Sequence, residues 1–422
     1  MSDTLRSLFS GSKNSNGSGG TFGSKPPSPQ GGFGDDAAAP TSGYQEVRPD
    51  ISLNAVIRVI GVGGGGGNAV ARMMSSKVGG VEFVAVNTDA QALFHNPAPT
   101  KLNIGRGTTK GLGAGANPDI GMQSAKESSE ELKKLIEGAD LIFITAGLGG
   151  GTGSGGAPYI AELARSMGVL TVGVVTKPFS FEGLSRRKKA DEALDALRGK
   201  VDTLITIPND KILSLIDKTT PLTEAFQIVD EILRHGIEGI ASLITVHGLV
   251  NVDFADVRSI MQDAGSALMG IGYGTGDSRA AEAARAAVDS PLLELSISGA
   301  KGILFNITGG NDMSMFEVDE AARIVTEAAD PEANIIFGAV IDDAYTGQVK
   351  CTVIATGFDE KKETTNMSQS SPALRSLPNF KKQDSLPRQE RQDDSSVMKL
   401  AGTQLNEEEL EVPTFMRKKI GK

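Results

Sequence analysis

The sequence predicts an α/β fold: a doubly wound parallel-sheet domain, a long central helix, and a smaller mixed α+β second domain. Three observations carry this reading. From Ala55 onward, short apolar runs alternate with helix-type patterns, as in a parallel sheet with helices on both faces. Two glycine runs, GGGGG at 63–67 and GGGTGSG at 149–155, each follow an apolar run and precede a helix pattern. Later, apolar residues recur at steps of three and four from Leu222 to Ile244, the spacing of one helix face.

Taken in order, residues 1–52 are rich in Gly, Ser and Pro. They bury too little apolar surface to offset the entropy of ordering, which predicts a disordered N-terminal extension. Between 53 and 219, strands are expected at 55–60, 83–86, 141–146, 170–175 and 204–207, with helices over 124–138 and 185–199 among them. The central helix, 220–245, is expected to take Thr220 as its N-cap, Pro221 at its first position and Glu224 in its first turn. Leu222, Phe226, Val229, Leu233, Ile237, Ile240 and Ile244 form its stripe. Residues 246–358 read as the second domain, with helices at 279–288 and 315–329 and strands at 303–307, 335–341 and 349–355. A polar flexible linker (359–406) and a short acidic-then-basic end (407–422) follow.

Composition excludes several classes. The net charge of −10 and a pI near 5.1 argue against nucleic acid as the main partner. The single cysteine, Cys351, sits in an apolar run and predicts a buried strand position, and one cysteine makes no disulfide framework. His95, His235 and His247 lack metal-ligand spacing, so no protein-built metal cage is expected. No apolar run approaches the ~18–20 residues of a membrane span. The N-terminus also lacks a signal-peptide core, so a cytoplasmic location is expected.

Glycine lets backbone amides approach phosphate oxygens, and a following helix adds a favourable dipole. Neither run contains lysine, so this is not the P-loop pattern. Gly61, Gly63 and Gly66 also satisfy GxGxxG, leaving a nicotinamide-dependent oxidoreductase as the alternative, with Asp89 as its ribose acid. Three features favour a nucleoside triphosphate instead. The second run has no role in that fingerprint, a third glycine-rich segment (105–118) would crowd the same sheet end, and Asn68 offers an amide beside the first run.

The segments GVGGGGGNAV, AVNTDAQAL, KGLGAGANP, GGGTGSG, KPFSFEG, TIPNDK and NVDFADV together resemble the tubulin/FtsZ family of GTPases, and within it the bacterial cell-division FtsZ proteins. The likeness spans about 54–358, and EVPTFMRK resembles that family's C-terminal docking peptide. It implies GTP/GDP binding, with Mg²⁺ held mainly by the phosphates, and head-to-tail self-polymerisation into the division ring at mid-cell. It also implies binding of membrane-tethering and regulatory division proteins through 411–418. By this resemblance, Gly64, Gly65, Gly66, Gly67 and Asn68, with Gly151, Thr152 and Gly153, contact the phosphates. Glu182 and Arg186 lie by the ribose and phosphates, Phe226 stacks on the base, and Asp230 accepts from guanine N1–H and N2–H₂. Asn251, Asp253 and Asp256 enter the next subunit's site and polarise the attacking water. On the residues alone, Phe226 equally suits a core position, Glu182 and Arg186 a solvated pair, and the aspartates a helix cap with an exposed acid.

Overall fold

A computed structural model describes residues 55–358, apart from 215, 218, 247, 249, 251, 294 and 295. The expected N-terminal extension, linker and terminal peptide, and Asn251, lie outside the described residues.

Six strands, β1 (Ile57–Val62), β2 (Glu82–Asn87), β3 (Thr100–Asn103), β4 (Leu141–Gly147), β5 (Leu170–Lys177) and β6 (Thr203–Pro208), pair in parallel. Their order is β3-β2-β1-β4-β5-β6. It reverses between β1 and β4, so connections leaving these neighbours diverge and open a crevice at their carboxyl ends. Both glycine runs leave from that point. The pleat sorts side chains between two layers: Ile57 and Val59 of β1 enter one core, Ile60 and Val62 the other.

One layer holds α4 (Pro118–Glu127), α5 (Ser129–Ile136), α6 (Thr152–Ser166) and α7 (Leu184–Arg198). The opposite layer holds α1 (Gly63–Ser75), α2 (Ala90–His95), α9 (Leu222–Thr245) and α10 (Phe254–Met261). Two short helices, α3 (Arg106–Thr109) and α8 (Asn209–Ile212), follow β3 and β6. The single helix expected over 124–138 is divided at Ser128, which ends α4 and begins α5. The cause is tertiary. Ser128 Oγ accepts from Gly105 N–H, and the Glu127 carboxylate accepts from the amides of Gly107 and Thr108.

At the start of α9, Pro221 occupies the N-cap position and Thr220 precedes it, one residue off the expected cap. Thr220 N–H instead bonds Asp217 O, closing the preceding turn. Phe226 then packs edge-on to Phe179, beyond the carboxyl end of β5, with ring centroids 5.4 Å apart. Thr245, the last residue of α9, lies against Gly80, ahead of β2. The helix therefore runs antiparallel to the strands from one sheet end to the other. Its 24 residues span about 36 Å at ~1.5 Å per residue.

The second half adds β7 (Gly265–Thr275), β8 (Gly302–Gly309), β9 (Asn334–Ile341), β10 (Gln348–Thr356), α11 (Arg279–Val288) and α12 (Met315–Ala328). The first residues of β7 pair in parallel with β6, and later ones pair antiparallel with β10, extending the sheet to ten strands. Strand β7 has no counterpart among the expected strands. Its glycines 270, 272 and 274 share one face, where a Cβ would stand 1.8–2.0 Å from carbonyl oxygens of Ala287, Ala283 and Arg279. They let the alanine-rich α11 lie directly on the strand. Cys351 is fully buried in β10, and burial pushes its thiol up, out of the reactive range.

Candidate functional site

All the glycine-rich segments meet at the carboxyl end of the parallel strands. The first run is not a loop before a helix: residues 63–67 are themselves the first turns of α1. Asn68 consequently sits exposed within α1, past its opening turn, rather than at a helix start. Gly63 has φ +73°, and a Cβ there would come 2.9 Å from the Gly153 amide nitrogen, so the two runs touch backbone to backbone. The third segment closes on the second, since a Cβ on Gly151 would meet Ala114 Cβ at 2.8 Å and Asn117 N at 2.9 Å. Lys189 of α7 holds that segment by donating to Ala116 O at 2.6 Å.

Neither α1 nor α6 has a side-chain N-cap, whereas Asp89 caps α2 and Asn117 caps α4. The opening amides of a helix have no partner within it. Two uncapped helix starts side by side therefore present a cluster of N–H donors and two positive dipole ends, a geometry suited to an anion. Thr152 adds a hydroxyl, joined to Thr88 Oγ1 at 2.6 Å in a buried contact. One of these hydroxyls donates to the other, which leaves the accepting one a proton to offer outward. Asp89 gives its carboxylate to the amides of Gln91 and Ala92 at 2.9 and 3.0 Å. Both bonds fall on Oδ1, so Asp89 serves as the cap of α2.

Around this cradle, Glu182 and Arg186 form a pair at 2.6 Å, with Glu182 also accepting from Phe179 N–H at 2.9 Å. The Arg186 backbone lies against Gly149, so the pair borders the second run. On the opposite layer, the opening turns of α9 bring Phe226, 40% exposed, beside Phe179. Asp230, farther along α9, is half-buried; burial pushes its carboxyl up to about 6, partly opposed by the Arg72 charge and reinforced by Glu231. Asn209 was not singled out from the sequence, although TIPNDK contains it. It opens α8 at the carboxyl end of β6, and its buried Oδ1 has no hydrogen-bond partner. Thr88 likewise lies within AVNTDAQAL without being singled out, and Arg72 carried no sequence signal.

Asp253 and Asp256 stand elsewhere. Asp253 caps α10 by accepting from Asp256 N–H at 2.8 Å, and both side chains are exposed. The other end of α10 contacts the amino ends of the strands: Thr203, opening β6, donates its hydroxyl to Met261 O at 2.5 Å. The aspartates thus lie past the far end of α9 from the glycine cradle. Among the described residues, no group of three or more His, Cys, Asp or Glu side chains is placed to hold a metal ion.

Comparison with known proteins agrees with this geometry. Residues 56–217 match the GTPase domain of the tubulin/FtsZ family, and residues 265–359 match the FtsZ-family C-terminal domain. An empty FtsZ dimer from M. jannaschii is 45% identical, with TM-score 0.70 over 72% of this chain and 88% of that one. The chain belongs to the FtsZ family. A mutant of M. jannaschii FtsZ matches similarly, at 46% identity and TM-score 0.70 over 72% and 92% of the two chains. A CetZ2 protofilament from Haloferax volcanii, bound to GTPγS, shares the fold at 23% identity and TM-score 0.62, over 73% and 94%. Both uncapped glycine helices lie inside the matched GTPase domain. The central helix α9 and the aspartate turn fall between the two matched regions. No helix among the described residues is long and apolar enough to cross a membrane.

Proposed function

We propose that this FtsZ-family chain is a cytoplasmic GTPase that polymerises head to tail and builds the bacterial division ring. The Asp253–Asp256 turn of one subunit completes the nucleotide site of the next. The observation that carries this is the separation along α9. At the cradle Asp89 caps α2 and Glu182 is paired with Arg186, whereas the exposed aspartates lie past the other end of α9, a helix about 36 Å long. No side chain spans that gap, whereas a second copy stacked end to end does.

In this reading the amides of Gly64–Gly67, with Asn68 beside them, and of Gly151, Thr152 and Gly153 hold the phosphates. Glu182 and Arg186 border the ribose, Phe226 stacks on the base, and Asp230 accepts from guanine N1–H and N2–H₂. Asn209, with its unpartnered Oδ1, offers the base a further acceptor. The incoming carboxylates orient water for in-line attack on the γ-phosphate, a task the resemblance assigns to Asn251 as well. Magnesium would neutralise charge there as an ion held mainly by phosphate oxygens. Leu112, Phe181 and Leu184, exposed at the sheet's carboxyl end, suit burial against another copy.

GTP turnover measured against protein concentration, with light scattering in parallel, tests the proposal. Turnover per subunit is expected near zero when dilute and to rise with assembly. A mixture of Asp256→Ala subunits with subunits crippled in the 149–155 run should regain activity that neither has alone. Concentration-independent turnover, with a mixture no better than its parts, would place the whole site in one chain. Deleting residues 407–422 should spare assembly and abolish capture by a membrane adaptor. Loss of assembly would make that tail part of the polymer.

A further inference from the structure

Two adjacent acids on α9 are treated very differently. Glu231 is 8% exposed and has both carboxylate oxygens engaged. Arg72 Nε donates to Oε1 at 2.8 Å and Arg234 Nε to Oε2 at 2.7 Å, while Arg234 also reaches Glu238 at 2.8 Å. Asp230, half-buried beside it, makes no hydrogen bond or ion pair among the described residues. Arg72 belongs to α1, the helix whose first turns are the phosphate-facing glycines, and its bond to Glu231 ties α1 to the helix bearing Phe226 and Asp230.

We propose that Arg72 is a positioning and selectivity residue. Clamped to Glu231, it fixes the spacing between α1 and α9 that a single guanine nucleotide must span, and its charge keeps Asp230 in the acceptor form that guanine requires. This rests on the reading of Asp230 as the partner of the base. An ionised carboxylate only accepts, and guanine offers it two donors at N1 and N2. Adenine instead presents a bare N1 acceptor. A protonated Asp230 would lose one acceptor and gain an O–H that suits adenine. Selection of guanine over adenine therefore depends on the charge of Asp230.

The charged groups acting on Asp230 are Arg72 from α1 and Glu231 on its own helix. Among the described residues, the charged groups on the other elements packed on this part of α9 are engaged elsewhere or exposed: beside Phe179, Glu182 is paired with Arg186 at 2.6 Å. On α8, Asp210 is engaged with Ser180 and Arg187, and Lys211 is exposed. On β5, Lys177 is paired with Asp191 at 2.7 Å.

The experiment is equilibrium binding of GDP and of ADP to the full chain at low protein concentration, from about pH 5.5 to 8. Phosphate ionisation is common to both ligands, so the affinity ratio isolates the base. The wild-type ratio should fall as pH drops through about 6, where burial places the Asp230 carboxyl. Arg72→Gln should move that fall upward by roughly half to one pH unit, lowering the ratio about three- to eightfold at pH 5.5 and by less than about twofold at neutral pH. Arg72→Lys should restore the midpoint, because it keeps the charge. Glu231→Gln breaks the same clamp but removes a negative neighbour, so its midpoint should move downward while both affinities decline. Opposite shifts from two variants of one ion pair are not produced by loss of packing. If Asp230→Asn leaves the ratio and its pH dependence intact, the base reading itself fails. If Asp230→Asn abolishes the dependence while Arg72→Gln leaves the midpoint in place, only the role of Arg72 is overturned.

Discussion

Along α9, the opening turns and the later turns satisfy their side chains differently. In the later part, Ile237 and Ile240 are fully buried, and Glu238 is tied to Arg234 and, at 3.4 Å, to Lys350 of β10. In the opening part, Leu222 and Phe226 belong to the same apolar stripe yet stay 59% and 40% exposed, and Asp230 follows with no hydrogen bond among the described residues. One continuous periodicity therefore serves two purposes. Where the stripe meets the second domain it is core; where it meets the glycine cradle it stops packing and leaves an aromatic face and a carboxylate open. The reading of Phe226 as a plain core residue fits the chemistry of Ile237 better than that of Phe226.

The largest expected effect lies beyond the buried end of the helix. Asp256→Ala should lower GTP turnover by about 10²–10³, or ~3–4 kcal/mol in the transition state, while retaining nucleotide affinity and assembly. Asp253→Ala should match that loss and also destabilise the fold by about 1 kcal/mol, because Asp253 caps α10. Denaturation of the two variants separates the roles; equal destabilisation would make Asp256 part of the cap.

Within the helix, Ile237→Ala should cost about 2–5 kcal/mol of stability through lost burial and a cavity. Phe226→Ala should cost less stability but weaken nucleotide binding. Unfolding midpoints with and without GDP would expose the contrast, and it breaks down if both variants lose stability equally without ligand. A smaller effect is expected at Asp230. Replacement by alanine should reduce GTP affinity by on the order of 1.5–3 kcal/mol, roughly tenfold to a hundredfold, with less effect on ATP. Equal losses for both nucleotides would move Asp230 away from the base.

The smallest effect concerns His235, buried on α9 beside Tyr273. Burial, then the charges of Lys350 and Arg234, hold its imidazole well below the ordinary value near 6.5. The unfolded chain then binds a proton that the folded chain refuses, so its contribution to stability is intact above about pH 6.5 and erodes below it. His235→Gln should flatten the decline of stability with pH in that window. An unchanged slope would mean that other groups set it.

Much of the first sheet was legible because parallel strands buried on both faces read as apolar runs, and β1, β2, β4, β5 and β6 fall within a few residues of the expected positions. Strand β3, short and partly exposed at the sheet edge, lacks that signature. Strand β7 hides behind glycines whose purpose is the approach of α11, a contact no local pattern contains. The division of the 124–138 helix depends on Ser128 and Glu127 serving the amides of the third glycine segment. At the site, the two glycine runs were legible as backbone donors, whereas Thr88, Asn209 and Arg72 gained meaning only from what faces them.

The sequence by itself determined the layering, the glycine-lined strand ends and the helix that follows them, because period and backbone freedom are local properties. Residue chemistry alone could not distinguish Asp230 from Glu231, neighbouring acids of nearly equal chemistry; the family resemblance singled out Asp230 without a physical reason. Only the tertiary structure decided which one meets Arg72 and which is left open. Successive residues of a helix point about 100° apart, so the packing of α1 against α9 gives the guanidinium to Glu231 and leaves Asp230 with an open acceptor.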